Sequence, residues 1–159
     1  MDAQTANFTE RMGLALESDG LPRIAGRIFG LLLVSEDSRS LDDLAAELRV
    51  SKGSVSTNAR LLEQRGLVER ICRPADRRDY YRTLPDLFNH TMALRLTRWE
   101  RFHQAITAAR ASLPIQSPEV RDRLEEYADA YAYISEVIRE ALDRWHAARE
   151  DRAKVGAAG

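Results

Sequence analysis

Apolar residues recur at the three- and four-residue spacing of amphipathic helices over most of this chain, and the pattern changes character only once. After a frayed stretch at 1–6, a first helix is expected over Phe8–Ser18, stopped by Asp19-Gly20. Pro22 suits the first turn of a second helix, whose Ile24, Ile28, Leu31 and Leu32 form a stripe reaching about Ser35. A polar loop, Glu36–Arg39, then leads to Ser40. With Asp43 three residues on, Ser40 makes an approximate capping box for a third helix, Leu41–Leu48, with Leu41, Leu44, Ala45 and Leu48 as its buried stripe.

A tight break at Arg49–Ser51 separates this helix from a fourth, Lys52–Gln64, capped by Ser51 and stopped by Gly66. At about 100° per residue, Val55, Ala59 and Leu62 share one face and turn inward. Gly53, Ser54, Thr57, Arg60, Leu61 and Gln64 lie opposite, with Asn58 at the margin. The helical period then gives way to a strand, Leu67–Arg73, a turn over Pro74–Arg78, and a second strand, Asp79–Leu84.

Helical spacing returns over Pro85–Ser112, with Phe88, Met92, Leu96, Trp99, Phe102 and Ile106 in register. Pro114 and Pro118 bracket a connection to a sixth helix, 118–149. There Val120, Leu124, Tyr127, Tyr131, Ile134, Ile138, Ala141, Trp145 and Ala148 alternate in steps of four and three, an unbroken heptad seam. Such a seam needs a partner helix, and the same helix of a second subunit is favoured over intrachain packing alone. Residues 150–159 read as a disordered tail.

The expected fold class is therefore mainly α: a winged helix-turn-helix lobe with a two-stranded β wing, plus long N- and C-terminal dimerisation helices. Its parts are the N-terminal helices (1–39), the lobe (40–84), the long helices (85–149) and the tail (150–159).

Charge sharpens this picture. The 159 residues carry a net charge of −1, yet residues 49–82 hold 9 Lys/Arg against 4 Asp/Glu, while residues 1–48 hold 4 against 9. A basic segment coinciding with the helix-turn-helix and hairpin is the electrostatic footprint expected for phosphate contact. The outer face of the fourth helix is small and polar apart from Leu61, which suits close approach to base edges. The longest apolar run, Ile28–Val34, has seven residues, far below the roughly 20 that span a bilayer. No basic n-region followed by an apolar h-region opens the chain, so no signal peptide and no membrane association are expected. The lone Cys72 cannot form an intrachain disulfide and fits a reducing cytoplasm.

Catalytic chemistry finds no support: there is no nucleophile elbow, phosphate loop, dinucleotide fingerprint or metal-binding His pair. His90, His103 and His146 each have a carboxylate about one helical turn back, a common surface pairing, so neither a metal nor a cofactor is expected. Cys72 is read as a half-buried structural residue, with a thiol-based redox sensor as the alternative. A winged-helix adaptor that binds protein and not DNA is the rival from another class; it would not need the small polar helix face or the Arg-rich wing tip.

Ser51-Lys52-Gly53-Ser54-Val55-Ser56-Thr57, Arg60-Leu61-Leu62-Glu63, Gly66-Leu67-Val68 and the wing run Pro74–Tyr81 closely resemble MarR-type regulators. Leu21–Ile28 looks like the second helix of the GbsR-like branch. The resemblance implies a cytoplasmic homodimeric regulator, acting as a repressor on a pseudo-palindrome in double-stranded DNA. It also leaves room for a small-molecule effector. Carried over from the family, Arg78 would enter the minor groove and Asp76 would hold it, with Arg77 a neighbouring phosphate contact; Arg73 is also expected among the DNA-binding residues. Ser51, Lys52, Ser54, Thr57 and Arg60 would be the helix contacts, with Asn58 also counted as DNA-binding; Ser51 and Lys52 would position on phosphate, and Thr57 and Arg60 would read bases. Tyr127, Tyr131, Ile134, Ile138 and Trp145 would form the dimer seam. GbsR-like relatives are associated with choline or betaine control, so Trp99, Trp145, Tyr127, Tyr131 and Tyr133 are also weighed as an aromatic cage, although aromatics at helical spacing are more often core.

Overall fold

The structure is a computed structural model that describes residues 1–74, 76–114 and 117–157, with side chains through Glu150. Its elements are α1 (Ala3–Ser18), α2 (Arg23–Leu33), β1 (Arg39–Ser40), α3 (Leu41–Leu48), α4 (Lys52–Gln64), β2 (Val68–Arg73), β3 (Asp76–Thr83), α5 (Leu87–Ser112) and α6 (Pro118–Ala157). The chain forms two compact units, one spanning Met1–Thr91 and one beginning at Met92.

In the first unit the stripes expected from helical spacing do meet. Ile28, Leu31 and Leu32 of α2, Leu44 and Leu48 of α3, and Val55, Ala59 and Leu62 of α4 are buried together with Val68 and Tyr81 of the sheet. Burying such side chains contributes about 1.5–3 kcal/mol each, so this cluster fixes how α3 and α4 cross.

Helix ends follow from a repeated device. Gly20, Arg49 and Gly66 have positive φ (80°, 55° and 67°) just after α1, α3 and α4. In each case the next N–H reaches back five residues: Leu21 to Leu16, Val50 to Ala45, Leu67 to Leu62. This is the Schellman closure, in which an apolar residue after the left-handed position packs back on the helix; Leu21 is buried, and Val50 and Leu67 lie against the core. At α3 an arginine takes the place usually given to glycine. The start of α3 matches expectation: Ser40 Oγ accepts from the Asp43 N–H at 3.2 Å, and Asp43 Oδ2 accepts from the Ser40 N–H at 3.1 Å.

Several boundaries differ from expectation. The segment at 1–6 is not frayed, because Asp2 caps α1 by accepting from the N–H groups of Gln4 and Thr5, and the helix begins at Ala3. The second helix ends at Leu33, with Pro22 as its N-cap residue. Arg39 and Ser40 are a strand and not loop, pairing with Tyr81 and Tyr80, so the sheet has three strands in the order β1-β3-β2. Two residues are too few to show a period of two. The turn of the wing is also tighter: β3 begins at Asp76, and Arg77 and Arg78 belong to the strand. Ala75 lies outside the described residues.

In the second unit α5 and α6 run antiparallel. Phe102 stacks on Tyr131 with ring centroids 5.4 Å apart, and Glu100–Arg139 and Glu125–Arg110 pair at 2.6 and 3.0 Å. Val120, Leu124, Tyr131 and Ile138 are half-buried and Ala128 and Ser135 buried, whereas Tyr127, Ile134 and Trp145 stay exposed. The heptad seam thus splits into two neighbouring stripes. The helix also continues to Ala157, through most of the segment read as a tail; residues 158 and 159 lie outside the described residues.

Candidate nucleic-acid interface

The helix-turn-helix is held from behind. Arg27 of α2 donates from Nη2 to the Leu48 carbonyl at 3.0 Å, satisfying one of the orphan acceptors at the end of α3, and its Nε lies 3.1 Å from Glu10 of α1. The position of α4 is therefore set by packing on its inner face and by this brace on the turn that precedes it.

On the outside, Ser51, Lys52, Gly53, Thr57 and Arg60 are exposed and Ser54 is half-buried. Ser51 Oγ accepts from the Ser54 N–H at 3.2 Å, which engages it as a cap. Lys52 pairs with Asp42 at 2.8 Å, but both side chains are more than half exposed, and such pairs contribute only about 0–1 kcal/mol. A phosphate can therefore compete for Lys52. Arg60 has no carboxylate within ion-pair distance among the described residues. Asn58 differs from expectation: only 8% exposed, it donates from Nδ2 to the Ser54 carbonyl at 2.8 Å and is withdrawn from the outer face. With a 100° step between residues, Asn58 falls beside Val55 and Leu62, on the core side of the margin.

The wing sorts its arginines into two groups. Arg70 pairs with Asp79 and Glu63, and Arg82 with Glu69 directly across the strands. These charges are internally balanced. Arg73 folds back: its Nη2 donates to the Ser38 carbonyl and hydroxyl at 3.2 and 2.8 Å, and its guanidinium lies 4.1 Å from the centre of the Tyr80 ring. The expected external contact at Arg73 is thus engaged as a brace between wing and body. Arg77 is exposed, and Arg78 is clasped by Asp76, with Nε 3.0 Å from Oδ2 and Nη2 2.7 Å from the same oxygen. These charge-assisted bonds hold the Asp76 carboxyl far below the usual carboxylate range and push the Arg78 guanidinium up.

The sequence reading missed Tyr80. Its hydroxyl accepts from Arg78 Nη2 at 2.6 Å and donates to Asp76 Oδ2 at 2.7 Å. The bond to Asp76 pushes the phenol above its ordinary value. Alternation supplies the signal: once the strand begins at Asp76, residues 76, 78 and 80 share one face. Cys72 also departs from expectation, being exposed and not half-buried. No group of His, Cys, Asp or Glu suited to a metal ion occurs among the described residues.

Residues 19–79 match the MarR family model, and residues 86–149 match that of MmpR5-like MarR family transcriptional regulators. The chain is 37% identical over 139 residues to HTH-type transcriptional regulator MmpR5 of Mycobacterium tuberculosis, covering 87% of this chain and 84% of that protein. The chain belongs to the MarR family. This is a family of transcriptional regulators and not of enzymes. A crystal structure described as a transcriptional regulator superposes on this MarR-family chain with a TM-score of 0.80 and 35% identity, covering 90% of this chain and 98% of the other. No helix among the described residues is long and apolar enough to cross a membrane.

Proposed function

We propose that this MarR-family regulator is a cytoplasmic homodimeric repressor that reads a pseudo-palindromic operator in duplex DNA. The observation that carries this reading is α4 itself: a 13-residue helix, rigidly backed, whose outer face offers exposed Thr57 and Arg60 beside small residues. Helix α4 enters the major groove, where Arg60 and Thr57 read bases and Ser51, Lys52 and Ser54 position the helix on the backbone. The wing supplies Arg77 for phosphate and Arg78 for a narrow minor groove, whose negative potential attracts a guanidinium.

The homodimer places two such lobes at fixed spacing, its interface drawn from the exposed stripe of α6 at Tyr127, Ile134 and Trp145, whereas Tyr131, stacked on Phe102, and half-buried Ile138 belong to the neighbouring stripe. A small-molecule effector, where one acts, works by stabilising one spacing of the lobes over another. Kinship with the GbsR-like branch rests on Leu21–Ile28 and the wing motif.

Selection from a random duplex library tests the reading. The expected product is an inverted repeat with half-site centres about 10 base pairs apart, or a multiple of one helical turn. Recovery of no enriched sequence would contradict it.

A further inference from the structure

We propose that Tyr80 is a positioning residue for DNA recognition, the hub of a clasp that presents the wing arginine in one fixed pose. The inference rests on the DNA-reading function proposed above. Three charged side chains converge on this one phenol: Asp76 accepts a hydrogen bond from its hydroxyl, Arg78 donates to its oxygen, and Arg73 covers its ring. Tyr80 is itself buried on the central strand, where it pairs with Ser40 of β1 and Ile71 of β2. The hub is thus anchored in the body of the lobe while the clasp reaches the wing.

The geometry holds Arg78 without hiding it. Its side chain stays 54% exposed although Nε and Nη2 are both engaged. A guanidinium carries five N–H donors, and the two on Nη1 make no hydrogen bond among the described residues. An arginine tethered by the far side of its fork keeps one edge for a groove. Immobilising so long a side chain costs rotamer entropy. A clasp already closed in the unbound protein meets that cost before DNA arrives. Arg73, bonded to Ser38 and stacked on the ring, acts on the same hub and so belongs to positioning and not to contact.

The hydroxyl is the part that matters, and Tyr80→Phe removes it while keeping ring and volume. The probes are a duplex enriched from a random library by the wild-type protein, and the same duplex with G·C in place of A·T at the positions the wing protects. Tyr80→Phe should bind the first about tenfold more weakly, the value of one hydrogen bond to a charged group. It should also lose preference over the second, with the salt dependence of binding unchanged because no charge is removed. Arg78→Ala should instead lower the salt slope. In a double-mutant cycle, Tyr80→Phe and Asp76→Asn should be strongly non-additive, since both open one clasp.

Steep salt dependence in the wild type, with Tyr80→Phe matching it in affinity and A·T preference, overturns the positioning role alone. Salt-insensitive wild-type binding overturns the DNA reading and this inference together. Should circular dichroism show Tyr80→Phe unfolded, Asp76→Asn carries the same expectation of lost A·T preference, and its retention overturns the proposal.

Discussion

Gly26 of α2 lies so close to Met12 of α1 that a methyl group on it would sit 2.5 Å from the Met12 carbonyl oxygen and 2.7 Å from the Gly13 Cα. Both obstacles are backbone, so neither can rotate away. In a helix interior, alanine ordinarily gains about 0.5–1 kcal/mol over glycine. At Gly26 the sign should reverse, with Gly26→Ala costing about 1–3 kcal/mol as the helices are forced apart. Gly53, in the first turn of α4, has nothing within 4 Å of such a methyl, so Gly53→Ala should stabilise by up to about 1 kcal/mol. Urea unfolding of both variants checks the contrast.

The cap of α3 should appear as a pH dependence. Bonds from the Ser40 hydroxyl and N–H lower the Asp43 pKa. A carboxylate depressed on folding contributes stability that is fully present above its unfolded pKa, near 3.9, and is lost as pH falls through the lower folded value. Asp43→Ala should therefore cost about 1 kcal/mol at pH 7, and the gap to wild type should close below about pH 4. A gap that stays constant down to pH 2 would show that the carboxylate charge plays no part.

The stripes of α2, α3 and α4 were legible in the sequence because each buries one face against one core, and helical periodicity records that directly. Helices α3 and α4 even begin and end where Ser40, Ser51 and Gly66 indicate. The sequence is silent where structure depends on partners distant along the chain. Gly26 and Gly30 look like weak points of a helix until α1 is laid on them. The strand Arg39–Ser40 exists only because Tyr80 and Tyr81 pair with it. Placing the wing turn over Pro74–Arg78 hid the alternation that sets Asp76, Arg78 and Tyr80 on one face, so the clasp was half visible, as an Asp–Arg pair without its tyrosine. The heptad seam of α6 was visible as a pattern, but spacing alone cannot divide it between α5 and a second subunit.

That division carries its own prediction. Tyr127 and Ile134 are 55% and 37% exposed and lie one heptad apart. A charge placed there meets water in a monomer and an apolar neighbour in a dimer. Ile134→Asp should shift the sedimenting mass from dimer towards monomer, while Glu136→Asp, a like-charged change of an exposed residue, should leave it unchanged.

Two of the arginines assigned to DNA should fail differently. Arg60→Ala should change the preferred operator sequence, relaxing discrimination at its base by about 1–3 kcal/mol. Arg78→Ala should weaken binding to operator and random duplex alike, apart from losing the A·T preference under the wing. Matched-salt affinities for the enriched operator and for random duplex separate the two, and the same pattern of losses from both variants would contradict the assignment.

The most direct test of the central claim, that α4 and the wing form a DNA-reading surface, is the salt dependence of equilibrium binding to the enriched duplex. With Lys52, Arg77 and Arg78 of each of two lobes neutralising backbone charge, log K should fall linearly with log salt at about 0.9 per neutralised phosphate, a slope near −5. Lys52→Ala and Arg77→Ala should each reduce it. Binding that is flat across the same salt range would contradict the account.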